Sequence, residues 1–381
     1  MPRRRTRLVT NLALLLGATI AAVATLEIFL RLFPQVLPEE TRLRLHWAQL
    51  VREPTVSHAD SFVGFVYPAR YHGAFDRGDA PFSYSTDEYG FRNPVGWPDT
   101  AAVVILGDSQ AFGFGVDDGE QWPHLLEENL RSSVVNLGLI GAAPQQYTRV
   151  LQRYGLALSP QLVVYCLFPG NDLVDAGLFT SWEAHGSPGN YATWRFYKGE
   201  RPDASDPVAG FVAQSRILAL VRSARRRVTS QLTGHTIETA DGQQLVLAPS
   251  AYRSSVALAR PSSPEFEQVM ESVERAESLA HGAGSDFLVV LVPTKEEVYL
   301  PLVRAPVPPL VEPLVRALAE RGIETLDLTP ALRKAARNGP ALFFPVDGHP
   351  NEYGSRVIAD LVFRRVSRMV DRSASSLHDS E

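Results

Sequence analysis

The chain holds a single cysteine, Cys166, among 381 residues. One thiol cannot close an intrachain disulfide. No Cys-x-x-Cys pair and no Cys/His cluster accompanies it, so no metal site is expected. Cys166 lies in the apolar run LVVYCLF, where a buried core residue is the expected role. Excess positive charge is lacking too. The formal net charge of −5 argues against a general nucleic-acid binder. No strand-like run leads into a phosphate-cradling glycine loop, so a nucleotide-binding domain is disfavoured. Repeats and low-complexity tracts are absent. What is present is ample core material: 45% hydrophobic and 21% charged residues, enough for one large domain or two modest ones.

The chain begins MPRRRTR and then runs from Leu8 to Leu26 without a charge. A membrane span needs about 20 mostly apolar residues. The arginines ahead of it hold that end in the cytoplasm. Residues 1–33 are therefore expected to be a single-pass anchor, with everything after them on the periplasmic or extracytoplasmic side. A cleaved signal peptide is the competing reading. The anchor is favoured because the run continues past Glu27 into IFLRLF.

Residues 34–100 read as a stalk followed by one or two β-hairpins, with aromatic residues between turn formers. From residue 101 the pattern alternates. Strands are expected at 102–107, 134–138, 162–168, 287–292 and 324–328, mostly as continuous apolar runs. Such runs belong to strands covered on both faces of a parallel sheet. Helices are expected at 122–131, 145–158, 264–282, 308–322 and 351–370. The fold class is α/β, a doubly wound three-layer sandwich with a five-stranded parallel sheet. That domain spans 101–372, with a tail at 373–381 expected to be disordered. Residues 173–262 break the alternation and read as an insertion over the strand ends. It holds a helix at 208–228, a hairpin around Ala240-Asp241-Gly242, and the cluster Arg225, Arg226, Arg227, read as a solvated helix end.

The stretch VVILGDSQAFGFG places Ser109 where a buried strand ends, which is where such sheets collect ligands. A serine hydroxyl needs a base to act as a nucleophile. His349 and Asp347, in the turn PVDGHPN, supply a base and a group to orient it. Taken singly, the serine is an ordinary helix cap and the turn a cap of the last helix. Acyl transfer also needs donors for an oxyanion. Gly141 and Asn171 follow the second and third strands and would project donors at the same surface.

These blocks, Gly107-Asp108-Ser109, Gly141, Gly170-Asn171-Asp172 and Asp347-Gly348-His349-Pro350, resemble the SGNH/GDSL hydrolase superfamily over residues 101–370. The resemblance implies a flavodoxin-like sandwich and no cofactor. It casts Ser109 as nucleophile, His349 as base and Asp347 as its orienting acid. Ser109 N–H, Gly141 N–H and the Asn171 side chain would form the oxyanion hole. No Gly-x-Ser-x-Gly elbow is present, so α/β-hydrolases are not the comparison. Many secreted members separate the aspartate and histidine by three positions; here the gap is two. That spacing, with VVLVPTKEEVYLP at 289–301 and the lead-in TDEYGFRNP, is similar to the branch of membrane-anchored polysaccharide O-acetyltransferases of the alginate-acetylation type. Asp172 and Asp327 are the stand-ins should Asp347 miss the ring. Lys295, Glu296 and Glu297 follow the fourth strand on the ligand side; a solvated loop is expected there, with substrate contact the alternative. Trp182, Trp194 and Tyr191 either stack on sugars or anchor the insertion.

The expected function is a membrane-tethered serine esterase or O-acyltransferase acting on acyl esters, such as an acetylated carbohydrate, within envelope polysaccharide machinery. The alternative is a non-catalytic carbohydrate-binding or scaffold component of such an assembly.

Overall fold

Runs that are apolar at every position become strands covered on both faces. The computed structural model describes residues 2–38, 41, 57–75, 82–93, 96–197, 215–221, 223–224 and 235–378. It opens with α1 (Pro2–Leu32), then two antiparallel hairpins: β1 (His58–Asp60) with β2 (Gly64–Val66), and β3 (His72–Phe75) with β4 (Phe82–Ser85). Next come β5 (Val103–Leu106), α2 (Ser109–Phe112), α3 (Trp122–Leu130), β6 (Val134–Asn136), α4 (Pro144–Val150) and β7 (Leu162–Leu167). They are followed by α5 (Asp172–Ala184), α6 (Tyr191–Tyr197) and the hairpin of β8 (His235–Glu238) with β9 (Gln244–Leu247). The remainder is α7 (Arg253–Leu258), α8 (Pro264–Gly282), β10 (Asp286–Leu291), α9 (Lys295–Tyr299), α10 (Val311–Glu320), β11 (Thr325–Asp327), α11 (Thr329–Ala336) and α12 (Glu352–His378).

The chain divides into two units, one of residues 1–50 with 201–229, the other of 51–200 with 230–381. The larger unit is built on the expected five-stranded parallel sheet, in the order β11-β10-β7-β5-β6. Val103 of β5 stands opposite Val134 on one side and Leu162 on the other, and Phe287 of β10 opposite Val163. This is the flavodoxin-like order, and the chain reverses its direction of winding between β5 and β7. All four residues of β5 and all six of β7 are buried. Their side chains alternate between two helical layers. Val164 and Cys166 join a core with Trp122 and Leu126 of α3, Leu332 of α11 and Val362 of α12. Tyr165 points the other way and meets Tyr147 of α4, with ring centroids 5.3 Å apart.

Helix ends follow local chemistry. Ser263 caps α8 by accepting from Phe266 N–H at 3.1 Å, and Pro264 fills the first turn, where no donor is needed. The single helix expected at 145–158 is instead α4, a π turn at Leu151–Gly155 and a 3-10 turn at Leu156–Leu158. Gly155 lies against Val104 and Leu137, so the backbone closes onto the sheet there. The last helix continues beyond residue 370 to His378, into the segment expected as a tail.

In the smaller unit, Thr10–Leu32 is long and apolar enough to cross a membrane, and of its residues only Glu27 and Leu30 are buried. Its one acidic residue has a specific use. Glu27 accepts from Ser215 Oγ at 3.0 Å, Arg216 N–H at 2.9 Å and Ile217 N–H at 3.1 Å, and pairs with Arg31 at 2.9 Å. The carboxylate thus caps the helical segment 216–221, while Ile217, Ala219 and Leu220 pack on Leu30 and Leu37. Arg225, Arg226 and Arg227 lie outside the described residues.

Candidate active site

Ser109 is the first residue of α2, directly after β5. The turn is tight because Gly107 presses on its neighbours: a Cβ there would stand 2.7 Å from Ala111 Cβ and 3.0 Å from Cys166 Cβ. Asp108 caps the helix by accepting from Gln110 N–H at 2.9 Å. Ser109 keeps 8% of its surface exposed. Its hydroxyl lies 2.8 Å from His349 Nε2 and 3.5 Å from Asp108 Oδ2. The shorter contact is the effective hydrogen bond, since 3.5 Å is at the limit of one.

His349 sits on the turn between β11–α11 and α12. Asp347 Oδ1 accepts from both the His349 backbone N–H at 2.9 Å and ring Nδ1 at 2.5 Å. The two-residue gap therefore works through one oxygen that closes an Asx turn and orients the imidazole. With Nδ1–H donating to Asp347, Nε2 is left as an acceptor for the serine proton. The stand-ins are committed elsewhere: Asp172 to Tyr147 Oη (2.7 Å) and Phe168 N–H (2.6 Å), and Asp327 to Thr329 N–H (2.8 Å).

Two buried cations brace the surroundings. Lys295 Nζ lies 3.0–3.3 Å from the carbonyls of Phe344, Pro345, Val346 and Asp347. It holds in place the strand of loop that carries Asp347. This corrects the expectation of a solvated loop: Lys295, Glu296 and Glu297 are 1%, 2% and 3% exposed and lie on α9. Thr294 and Glu297 form a reciprocal capping box, and Glu297 also accepts from Leu310 and Val311 N–H at 3.1 and 2.9 Å. Burial pushes the Glu297 carboxyl up. The second cation, Arg92, belongs to the lead-in TDEYGFRNP. It donates to the carbonyls of Ser83, Phe112, Gly113 and Val116 and to Asp118. That fixes the loop bearing Phe114, whose ring lies 4.8 Å from the His349 ring.

The expected oxyanion donors come from the ends of β6 and β7. Gly141 has φ +74°, a left-handed conformation suited to glycine. Asn171 stands at the N-terminal boundary of α5 without a side-chain capping bond, its Nδ2 donating instead to Asp175 Oδ2 at 2.8 Å. Burial raises the pKa of Asp108, and the Gln110 N–H and the Asn171 amide partly offset that rise.

Residues 252–378 match a family model described as the SGNH hydrolase-like domain of the acetyltransferase AlgX. The match takes in Lys295, Asp347 and His349, and Ser109 joins them through space. Over residues 252–378 the chain is similar to an SGNH hydrolase-like domain. Solved structures similar to it include a member of the lipolytic protein G-D-S-L family from Veillonella parvula. That likeness has 13% identity, 69% of this chain and 96% of that one covered, and a TM-score of 0.36. A lipase/acylhydrolase from Enterococcus faecalis gives 14%, 70%, 94% and 0.35 on the same measures. The acetyl xylan esterase AlAXEase gives 12%, 69%, 98% and 0.35. No curated protein sequence matches the chain.

Trp182 and Tyr191 are fully buried, with ring centroids 5.7 Å apart, so they anchor the insertion by packing. Trp194 is half-buried and lies 5.1 Å from the His185 ring. Among the described residues no group of three or more His, Cys, Asp or Glu is placed to hold a metal ion. The sequence reading missed Arg92 as a brace and Tyr252. The Tyr252 phenol oxygen stands 3.1 Å from where a Cβ on Gly348 would be, and its ring 3.0 Å from one on Gly170. Arg92 had a signal, as a charged residue inside an aromatic, turn-rich lead-in. Tyr252 had none.

Proposed function

We propose that the chain is a serine-dependent acyl-ester enzyme, an esterase or O-acetyltransferase, with Ser109 as nucleophile, His349 as base and Asp347 as its orienting acid. One observation carries the reading: the unbroken chain of hydrogen bonds from Ser109 Oγ through His349 to Asp347, at 2.8 and 2.5 Å. Ser109 Oγ bonds to the acyl carbon as its proton passes to Nε2. The carbonyl electron pair moves to oxygen, facing the N–H groups of Ser109 and Gly141 and the Asn171 amide. Collapse expels the alcohol, which takes its proton from His349. The acyl group then passes to water or to an acceptor hydroxyl.

The match to the acetyltransferase AlgX supports an acetyl group as the acyl unit, and the resemblance of the Asp347-Gly348-His349 spacing and the 289–301 segment to polysaccharide O-acetyltransferases supports a carbohydrate acceptor. The apolar stretch Thr10–Leu32, headed by arginines, supports a membrane tether with the catalytic domain outside the cytoplasm. In domain terms, 1–33 anchors, 34–100 leads in, and 101–372 catalyses with 173–262 as its insertion.

The deciding experiment uses the full chain in detergent with p-nitrophenyl acetate, with and without polysaccharide acceptors. Acetyl groups appearing on the polymer identify a transferase. Acetate released at one rate regardless of acceptor identifies an esterase. A Ser109→Ala chain as active as the parent refutes the serine mechanism and leaves a carbohydrate-binding role.

A further inference from the structure

We propose that Arg195 is the cationic wall of the oxyanion site, held there by Asp175, and that it offsets part of the negative charge that develops on the acyl oxygen. The inference rests on Ser109 acting as the nucleophile.

Arg195 lies on α6, and α6 is firmly seated. Tyr191 donates its hydroxyl to the Asp175 carbonyl at 3.1 Å, and its ring stacks edge-on against Phe179 at 4.9 Å. Asp175, whose side chain is 2% exposed, grips the guanidinium at two points. Nε donates to Oδ1 at 2.7 Å and Nη2 to Oδ2 at 2.8 Å. Such a fork fixes the plane of the guanidinium as well as its distance. The pair keeps Arg195 charged, since Asp175 pushes its pKa upward.

Asp175 does a second thing. The oxygen that receives Arg195 Nη2 also accepts from Asn171 Nδ2 at 2.8 Å. One carboxylate therefore orients both the amide expected in the oxyanion hole and a cation beside it. The grip occupies the Nε/Nη2 edge and leaves the guanidinium laid over Gly141, with Nη1 outside the fork. A Cβ on Gly141 would stand 3.1 Å from both Nη1 and Cζ of Arg195. The Arg195 side chain remains 29% exposed, so it borders open space.

The surroundings supply the need. Asp108 and Asp175 are buried carboxyl groups at the ends of β5 and β7. An oxyanion forming among them meets like charge unless a cation stands close by. A salt bridge serving only to pin α6 to α5 has no use for a guanidinium laid over Gly141.

The test uses the full chain in detergent, p-nitrophenyl acetate for turnover and a fluorophosphonate for the rate of serine labelling. Arg195→Ala alone leaves Asp175 unpaired in the interior, so it is paired with Arg195→Ala/Asp175→Ala, which buries no orphan charge. Arg195→Lys keeps the charge without the fork. The expected result is a fall of about 10²-fold in kcat for both alanine variants, the size of one lost oxyanion donor, with KM nearly unchanged. Arg195→Lys falls less, and millimolar guanidinium, gripped by the Asp175 carboxylate that remains, restores much of the rate to Arg195→Ala. A double variant that turns over and labels at the parent rate overturns the proposal, as does a loss confined to KM or a loss in Arg195→Ala that guanidinium does not relieve. A parent chain that takes no label on Ser109 overturns the serine reading itself, and this inference with it.

Discussion

Ser109 Oγ and His349 Nε2 lie 2.8 Å apart across 240 positions of the chain. Two turns make that contact. One ends the central strand β5, the other precedes the last helix, and both open on the same edge of the sheet. A hydrogen bond of this length is within reach for proton transfer in the ground state. Replacing Ser109 by Ala is expected to lower ester turnover by at least ~10³-fold while leaving the thermal melt unchanged. Mass mapping of a fluorophosphonate adduct checks the same pair: label on Ser109 in the parent, and its loss in His349→Ala.

Asp347 uses a single oxygen for two donors, the backbone N–H of His349 at 2.9 Å and ring Nδ1 at 2.5 Å. This makes its asparagine variant unusual. In Asp347→Asn the amide carbonyl can keep both contacts, so the ring tautomer survives and only the negative charge is lost. Asp347→Ala loses the turn and the ring contact together. Turnover is expected to fall by about 10⁴-fold in Asp347→Ala and by less in Asp347→Asn. Equal losses in the two variants would show that the tautomer is not held this way.

The sheet and the order of the site blocks were legible because each rests on a local signal. β5 and β7 are apolar at every position, and glycine or asparagine punctuates each strand end. Lys295, Glu296 and Glu297 were misread for a clear reason. Three charges in a row after a strand read as solvent-facing, yet the ammonium is matched by carbonyls some 50 residues away and Glu297 by N–H groups 13 and 14 residues on. Non-local compensation of this kind leaves no periodicity to find. The same holds for Glu27, which beyond Arg31 one turn away is matched by donors at Ser215, Arg216 and Ile217. Trp182 and Tyr191 carry both a stacking face and a packing face, and only tertiary contact decides between them.

Lys295 gives the loop of Asp347 its shape, with Nζ against four consecutive carbonyls. A Lys295→Met chain keeps the apolar stem and removes the charge. It is expected to lose about 2–3 kcal/mol of stability, in line with the worth of hydrogen bonds to a charged group. Turnover should fall more steeply than substrate affinity, because the loss frees Asp347 and His349 rather than removing a binding contact. Thermal melts and the separate changes in kcat and KM read the two effects. An unchanged melt would mean that the carbonyls are held without the ammonium.

Asp172 offers a pH-linked prediction. Burial holds its carboxyl well above the ordinary value of 3.8, and the neighbouring Asp108 adds to the rise. The folded chain therefore binds the Asp172 proton more tightly than the unfolded chain does. Between 3.8 and the folded pKa the unfolded state has lost its proton while the folded state keeps it. Stability from this group is thus full below 3.8 and declines as pH rises through that window. Asp172→Asn removes the titration. Its carbonyl can accept from Phe168 N–H, and its amide can donate to Tyr147 Oη, whose own proton turns to the Ala142 carbonyl already 3.3 Å away. Melting temperatures of the two chains at pH 4 and pH 8 are expected to show a smaller drop for Asp172→Asn than for the parent. An equal or larger drop in the variant would place the buried proton elsewhere among the carboxyl groups at these strand ends.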